Sequence, residues 1–476
     1  MDVESYGEFS VILAYYGLLL VVATMGLDKG VSRFIAYYKE KEDTPRVRGT
    51  IISALKIGIP ITIAVGLISY LAAGWISENI FHSIQIAPLL QLIAIVLPID
   101  VARSVFMNVI RGFRAMKYEV ITRILAENIA KLLLTVILLA LGYGIFGAII
   151  AYMIAVICSF ILAFYYVDRK IIPFVAGKLE ILENKREIFV FSAPVVFTGL
   201  ATYFLTWTDT FMLRYYTSAT DVGIYNIATP LAQLLSIIPV TIAMIFLPTI
   251  SAILATGTPE EMKRIARSTN KWTLAANLLI FLWLTVFGTQ IIRVIFGEQY
   301  INAYPVLLLL SPAFLIFFQM YYGQAILLAH KKSNWLLKDS IIAFVTNILL
   351  NSILIPRFGI RGAAVATSIS FIILGILFIT QSYKLTRIDP LHGALIKIII
   401  SGMITASIGY SILKYVAPET TMLVLALILA TSLVYGTLFL LTGAFDSTDR
   451  EMAKMLLLRA NLKIETFSKS VRRRMQ

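Results

Sequence analysis

The stretch NILLNSILIPRFGIRGAAVATS, residues 347–368, contains two apolar runs that meet at Pro356 and Gly359. Proline cannot continue the hydrogen bonding of an α-helix, and glycine permits a tight turn. We therefore expect one helix to end just before Pro356 and a second helix to begin almost at once. Two helices joined this closely inside an apolar stretch indicate a protein built from neighbouring membrane spans.

Polar and small residues on either side of this break predict helix packing. Asn347 and Asn351 are four positions apart, so they share one helix face and can hydrogen-bond to another helix. Contact with a ligand is the alternative for them. The run of small residues that begins at Gly362 allows a neighbouring helix to approach closely, as small residues do in membranes.

The composition of the chain is that of a membrane protein. Of 476 residues, 59% are hydrophobic and 14% are charged, with a mean hydropathy of +0.85, whereas a soluble domain carries about 25% charged residues. This composition excludes a large soluble protein. The one cysteine, Cys158, lies in an apolar run and the histidines have no partners at ligand spacing, so we expect no metal or redox chemistry.

Apolar runs of about 20 residues, long enough to cross a bilayer, follow one another along the chain. The predicted fold class is therefore an all-α polytopic membrane protein with about thirteen transmembrane helices. These spans cover roughly residues 10–36, 51–74, 87–110, 118–141, 144–167, 187–213, 223–251, 272–295, 304–328, 335–355, 360–383, 393–415 and 420–441.

Lysine and arginine are concentrated in alternate loops, which the positive-inside rule places in the cytoplasm. The net charge of +14 is then a consequence of membrane topology, and we expect no nucleic-acid partner. The C-terminus is predicted to be cytoplasmic and to end in an amphipathic tail on the inner leaflet of the cell membrane. The acidic N-terminus is predicted to be external. The basic segments lie at 39–48, 111–117, 169–186, 263–271, 331–332, 384–387 and 472–474.

Two short motifs recur at nearly the same offset. GIFGAIIA at 144–151 returns as GIRGAAVA at 359–366, and YGEFS at 6–10 is echoed by VGIYN at 222–226. An even number of predicted helices separates the copies, so both enter the membrane in the same direction. Parallel halves of this kind are one of the two transporter layouts, and they place a cavity between two bundles.

The repeat divides the chain into two lobes and their connections. We predict an N-lobe, a cytoplasmic linker, a six-helix C-lobe, two additional helices and the cytoplasmic tail, at residues 1–167, 168–186, 187–383, 384–441 and 442–476 respectively.

The stretch at 347–368, together with TDTFMLRYYTSATDVGIYNIATPL at 208–231, resembles the polysaccharide repeat-unit flippases. These belong to the multidrug/oligosaccharidyl-lipid/polysaccharide exporter superfamily. The resemblance runs over nearly the whole chain. It implies fourteen helices in two lobes around a central cavity, and movement of lipid-linked sugars to the outer leaflet by alternating access. In the family, residues like YGEFS follow the first helix, so we expect this sequence to lack that helix, through a late start codon or a true loss.

Charged side chains within predicted spans cost about 2.5–3.5 kcal/mol each on insertion scales, and each is a site hypothesis. Most lie in the cytoplasmic half of the first lobe, where cations outnumber acids. We predict that they form a cationic vestibule for a polyprenyl phosphate or pyrophosphate and its sugars. The substrate-binding candidates are Lys29, Arg33, Lys56, Arg103, Arg123 and Lys131, and the charge partners or coupling candidates are Asp28, Asp100, Glu127 and Asp209.

Pairing among these side chains is the alternative to substrate binding. Arg123, Glu127 and Lys131 are at i, i+4 and i+8, so they share one helix face and could neutralise each other. Asp100 and Arg103 could do the same. The two cations of the first span could instead extend to the lipid headgroups.

The second lobe carries fewer charges. Asp209 could bind a coupling cation or pair with Arg214, and the pair is the favoured interpretation. Asp339 lies beside Lys338 near a cytoplasmic helix end, where solvation at the membrane boundary is expected. We expect no cofactor, and coupling to Na⁺ or H⁺ remains open.

The favoured function is therefore a flippase of lipid-linked oligosaccharide, not an enzyme. A cation-coupled multidrug exporter is the first alternative, and it would need a small pocket with isolated carboxylates. A membrane-embedded glycosyltransferase is the second, and it would need acidic residues clustered at one membrane face. The expected partners are the glycan substrate and membrane lipids. The protein is expected to be a monomer that could act with a glycan polymerase or glycosyltransferases.

Overall fold

The computed structural model describes residues 1–174, 180–389, 393–416 and 420–443, which fold into α-helices joined by short turns. Most of the predicted tail, from residue 444 onward, lies outside the described residues. The helices are α1 (Val3–Thr24), α2 (Leu27–Glu40), α3 (Thr44–Asn79), α4 (Ala87–Gly112), α5 (Met116–Glu119), α6 (Asn128–Ala140), α7 (Gly144–Tyr166), α8 (Lys185–Tyr216), α9 (Ala219–Gln233), α10 (Ile237–Thr256), α11 (Pro259–Val286), α12 (Gly288–Phe296), α13 (Ala303–Met320), α14 (Tyr322–Ala329), α15 (Ser333–Thr386), α16 (Gly393–Val416) and α17 (Thr421–Leu441).

The helices confirm the predicted fold class. Within the described residues, nine helical spans are long and apolar enough to cross a membrane, and ten when α11 and α12, which meet at 74°, count as one broken span. Every predicted span consists mainly of helical residues, and α15 alone contains two of them. The chain is thus an all-α, multi-pass membrane protein. The predicted lobe boundaries stay a prediction.

The bend in α15 lies at Gly359 (φ 55°, ψ −134°) and divides the helix into α15a (333–358) and α15b (360–386). The predicted tight connection is confirmed, but the helix continues through Pro356 to the glycine. Proline removes one backbone donor, whereas the positive φ at Gly359 takes the backbone out of the helical region altogether. A Cβ on Gly362 would overlap the carbonyl of Leu354, which confirms the predicted close approach.

The first predicted span, 10–36, consists of two helices where one continuous helix was expected. α1 ends at Thr24 because Met25 and Gly26 adopt left-handed conformations (φ 46° and 68°), and α2 begins at Leu27. No hydrophobic pattern in the sequence marks this break. The start of α2 carries no side-chain cap, so backbone N–H groups of its first turn lack a capping acceptor.

A π-helix, Val120–Glu127, separates α5 from α6. A π-helix closes its hydrogen bonds from i to i+5. Arg123 is exposed here, whereas Glu127 and Lys131 are half-buried. Glu127 forms its ion pair with Arg103 of α4, so it is not neutralised by Arg123 and Lys131 as the pairing alternative expected.

The described chain forms two compact units. The first contains 1–227 and 348–363, and the second contains the described residues of 228–347 and 364–476. The first unit has a core of buried side chains from α2, α3, α4 and α7, including Ile35 and Phe106. The second unit has one core around α10, α11 and α14 and another around α11, α16 and α17.

In the first unit, the two copies of the repeated motif contact each other reciprocally. A Cβ on Gly7 in α1 would overlap the carbonyl oxygen of Ala219, and a Cβ on Gly223 in α9 would overlap that of Val3. Gly7 and Gly223 are equivalent positions of the repeat, and so are Val3 and Ala219. Reciprocal contacts between equivalent residues are the mark of a two-fold relation. The repeat read from the sequence is thus matched by the packing of α1 against α9.

The first prediction tests this contact. Gly7→Ala should destabilise the protein by about 1–3 kcal/mol, since the methyl group forces two packed backbones apart. Gly74→Ala is the matched control, because a Cβ on Gly74 of α3 has no atom within 4 Å. Removing that helical glycine should be neutral or stabilise by up to about 1 kcal/mol. The two melting temperatures in detergent check this, and equal values would contradict the packing.

Candidate functional site

Arg103 lies between two carboxylates in the interior of the first unit. Its Nη2 is 2.6 Å from Asp100 Oδ1, and its Nη1 is 2.7 Å from Glu127 Oε2. Tyr16 of α1 donates a hydrogen bond of 2.6 Å to the second oxygen of Asp100. Asp100 is fully buried and the Arg103 side chain is 13% exposed. This arrangement, the Arg103 triad, joins α4 to the π-helix and to α1.

The triad favours the pairing interpretation for Arg103. A phosphate would bind bidentately through the N–H edges of the guanidinium, and protein carboxylates already occupy these edges. The partner within α4, three residues away, follows from the sequence. Glu127 was expected to serve Arg123 or Lys131, and the π-helix brings it to Arg103 instead.

Lys56 is also paired, with a residue that the sequence did not suggest. Its Nζ forms an ion pair with Glu183, which also binds Lys185 at 2.8 Å. The hydrogen bonds from Lys185 and Lys56 lower the pKa of the Glu183 carboxyl. The two partners are 127 positions apart, so no local pattern could reveal them. The ion pair of Lys56 with Glu183 therefore connects α3 to the segment before α8.

The remaining predicted cations differ in their surroundings. The guanidinium of Arg33 lies 4.2 Å from the centre of the Phe191 ring, and Lys131 Nζ lies 5.8 Å from the centre of the Tyr152 ring. Both contacts are of the cation–π type, which leaves the charge available to an anion. Arg123 is exposed on the π-helix.

A cavity of about 510 Å³ opens in the first unit where α1 breaks into α2. Its volume is in the range of small-molecule sites. Lys29, the first cation after the break, lines it with a side chain that is 69% exposed. We call it the α1–α8 cavity. Its polar lining consists of Thr24, Asp28, Lys29, Ser104, Tyr203 and Thr206.

The helix break shapes the electrostatics of this cavity. Lys29 Nζ is 4.0 Å from Asp28 Oδ2, at the limit of an ion pair, so the interaction between these two side chains is weak. The uncapped N-terminus of α2, at Gly26 and Leu27, adds the positive end of a helix dipole. Tyr203 reaches across from α8 and donates to the carbonyl of Ala14. The cavity thus combines an accessible cation, a helix N-terminus and an aromatic side chain.

Asp209 of α8 accepts hydrogen bonds from Tyr225 Oη (2.5 Å) and from Asn351 Nδ2 (2.7 Å). Five positions correspond to about 140° around an α-helix, so Arg214 projects from a different face of α8, against the favoured pairing. Asn351 therefore joins two helices, as predicted. Asn347 does the same through a 3.1 Å hydrogen bond to Thr367.

Residues 1–254 match the polysaccharide biosynthesis protein family. This match covers more than half of the chain. The chain belongs to that family. Residues 194–353 also match the MatE family, which agrees with the superfamily that the sequence motifs resemble.

Relatives of this family member include both named and unnamed proteins. An uncharacterized membrane protein of Methanocaldococcus jannaschii is 25% identical over 83% of this chain and 81% of its own length. Lipid II flippase MurJ of Bacillus subtilis is 25% identical over 75% of this chain and 72% of its own length. The probable low-salt glycan biosynthesis flippase Agl15 of Haloferax volcanii is 24% identical, over about half of each chain (54% and 55%).

Solved structures share the fold. A lipid II flippase MurJ in an inward closed conformation superposes with a TM-score of 0.66 at 15% identity, over 90% of this chain and 97% of its own. An inward-facing multidrug resistance MATE transporter gives a TM-score of 0.66 at 13% identity, over 81% and 91%. The chain therefore has the same fold as these two structures.

The second prediction tests the Arg103 triad. Arg103→Gln leaves Asp100 buried and unpaired, and should destabilise the protein by about 3–5 kcal/mol. Arg123→Gln, on the exposed face, should change stability by at most about 0.5 kcal/mol.

Replacing all three members, as Asp100→Asn, Arg103→Gln and Glu127→Gln together, should recover most of the loss, because no buried charge is left. Melting in detergent measures all three variants. A stable Arg103→Gln protein would show that the triad does not hold the charges as described.

Proposed function

We propose that this protein flips a lipid-linked oligosaccharide from the cytoplasmic to the outer leaflet by alternating access. It would do so for the synthesis of cell-surface polysaccharide or glycoprotein. Membership of the polysaccharide biosynthesis family and similarity to three proteins named as flippases support this. The membrane spans and the transporter fold are consistent with it.

The α1–α8 cavity is the observation that carries the proposal at the level of residues. A polyprenyl phosphate or pyrophosphate presents anionic oxygens, and Lys29 with the N-terminus of α2 offers a cation and the positive end of a helix dipole to them. Tyr203 and the hydroxyl of Ser104 suit a sugar, through ring stacking and hydrogen bonding. Of the predicted vestibule cations, Lys29 becomes the main substrate-binding candidate. Arg33 lies one helical turn further along α2.

The surroundings of the charges weigh against the drug-exporter alternative. A site for cationic drugs would need an acid as its dominant charge. In the first unit, Asp100 and Glu127 are occupied by Arg103, whereas Lys29 is exposed to the cavity. Asp28 remains beside Lys29 and reduces, without cancelling, the attraction for an anion.

Orientation and coupling complete the proposal. We infer that the basic loops and the C-terminus are cytoplasmic and that residue 78 lies outside the cell. Asp209 remains a candidate for a coupling cation. Function as a monomer, with glycan-synthesising enzymes as neighbours, is part of the same proposal.

The third prediction tests the cavity. Purified protein in liposomes should move a lipid-linked oligosaccharide between leaflets, scored by the fraction accessible to an external glycosidase. Lys29→Gln should raise the substrate concentration for half-maximal transfer about ten-fold or more, since it removes a charge-assisted hydrogen bond of about 1.5–3 kcal/mol. Lys414→Gln, an exposed position in α16, is the charge-matched control. Equal loss in both variants, or in neither, would contradict the assignment of Lys29.

The fourth prediction tests orientation. In a Cys158→Ser background, a cysteine at Glu78 should react with an impermeant maleimide on intact cells. A cysteine at Lys263 should react only after the membrane is permeabilised. Both positions are exposed in the structure. The reverse pattern would place the basic loops outside and invert the proposed direction of transport.

A further inference from the structure

The second unit contains a buried carboxyl group that has no cationic partner. Asp339 lies in the second turn of α15a and is 2% exposed, against the expectation of solvation at the membrane boundary. Lys338, its neighbour in sequence, is exposed and points elsewhere. Within the described part of the chain, no lysine or arginine forms an ion pair with Asp339.

Within the described residues, one side chain hydrogen-bonds to this carboxyl group. Gln381 of α15b donates a hydrogen bond of 2.8 Å from Nε2 to Asp339 Oδ1. The other two polar atoms, Asp339 Oδ2 and Gln381 Oε1, are both buried and both lack a hydrogen-bond partner. An ionised carboxylate oxygen and an amide oxygen are both acceptors. These two atoms therefore cannot form a hydrogen bond with each other while Asp339 is charged.

A single proton satisfies both atoms. If Asp339 Oδ2 carries a hydrogen, it becomes a donor, and Gln381 Oε1 is the acceptor on the amide that already contacts Oδ1. A carboxylic acid and a primary amide then form two antiparallel hydrogen bonds in one ring. A buried carboxyl group without a counter-ion avoids the cost of its charge by taking up a proton. We propose that Asp339 and Gln381 form a proton-binding site, occupied in this conformation.

The surrounding charges agree with a neutral Asp339. The cluster that contains Ile379 of α15b also contains residues of α10, α11 and α14. α10 contributes no titratable side chain. The titratable and basic side chains of the other elements and of the ends of α15 are Tyr322, His330, Lys331, Lys332, Lys338, Tyr383, Lys384, Arg387, Asp389, Glu260, Glu261, Lys263, Arg264, Arg267 and Lys271. Lys338 and Lys384 are exposed, and His330 is hydrogen-bonded to the carbonyl of Ile326 at 2.9 Å. Within the described residues, the amide of Gln381 is the group that hydrogen-bonds to Asp339.

Because the pair joins the two halves of α15, separation of the halves would let the proton leave Asp339. Asp339 is in α15a and Gln381 is in α15b, and the chain passes from one half to the other at the bend at Gly359. Parting of the two halves near their open ends would break the ring and admit water. The proton would then leave Asp339 Oδ2 for water, and the ionised carboxylate would be hydrated. The site therefore binds one proton in the closed pair and releases it in the open one, which goes beyond the proposed flippase function.

Infrared spectroscopy of the full-length protein in lipid nanodiscs tests the inference, since neutral carboxyl groups absorb apart from carboxylates. The difference spectrum between wild type and Asp339→Asn at neutral pH should show one lost neutral carboxyl band that shifts in D₂O. Asparagine keeps the shape of the acid and can form both hydrogen bonds with Gln381, so this variant should fold. A difference that contains only a lost carboxylate band would overturn the proposal.

Two further variants make the test specific. Glu298→Gln removes a carboxylate that is 70% exposed and paired with Arg293, so it should lose only a carboxylate band. Gln381→Leu should move the Asp339 band, because the neutral carboxyl group loses its amide partner. An unmoved band would refute the acid–amide pair. None of these spectra requires transport, so a failure here is separate from a failure of the proposed flippase function.

The fifth prediction concerns the pH dependence of stability. The folded protein holds a proton that the unfolded chain releases above acidic pH, so wild type should lose stability relative to Asp339→Asn as the pH rises. The difference between their melting temperatures as a function of pH measures this. A wild-type protein that gains stability with pH relative to the variant would contradict a protonated Asp339.

Discussion

A charged side chain in a hydrocarbon interior must be paired, hydrated or neutralised by a proton, and this constraint accounts for the polar architecture of the protein. Arg103 shows the first solution, because two carboxylates and a tyrosine hydroxyl surround its charge within the first unit. Lys29 shows the second, since it opens onto a cavity. Asp339 forms no ion pair within the described residues, and we assign it to the third. The three solutions separate charges that hold the fold from charges available to a ligand.

Departures from regular helix position these groups. The left-handed residues Met25 and Gly26 end α1 and place the start of α2 beside Lys29. The π-helix at Val120–Glu127 turns Glu127 toward Arg103. The bend at Gly359 folds α15 so that residues 42 positions apart, Asp339 and Gln381, meet. Irregular backbone in a membrane protein is tolerated where protein or water satisfies it, and here each irregularity brings polar groups together.

The sequence predicted the fold well because its signals are local. Apolar length determines the spans, and Gly359 marks the tight connection. The motif repeat predicted two equivalent segments, and Gly7 and Gly223, which are equivalent in them, lie in close reciprocal contact. Within the site, the sequence indicated that Asp100 could pair with Arg103, since three positions on a helix bring them together.

Other parts of the site depend on geometry that the sequence does not encode locally. The spacing grouped Glu127 with Arg123 and Lys131, yet Glu127 pairs with Arg103 of another helix, 24 positions away. Lys56 meets Glu183 across 127 residues, and a pair so distant is visible only in the folded chain. Asp339 was expected to be solvated at the membrane boundary because it is next to Lys338. Adjacent residues point about 100° apart on a helix, and here Lys338 is exposed whereas Asp339 is buried. The substrate site that we propose is accordingly smaller than the predicted vestibule, and Lys29 is its main candidate.

The most direct measurement is a structure of the protein with a bound polyprenyl-pyrophosphate oligosaccharide, determined in lipid nanodiscs. The account predicts a phosphate within hydrogen-bond distance of Lys29 Nζ and the first N–H groups of α2, with Arg103 still held by Asp100 and Glu127. A phosphate bound to Arg103 in place of those two carboxylates would contradict it.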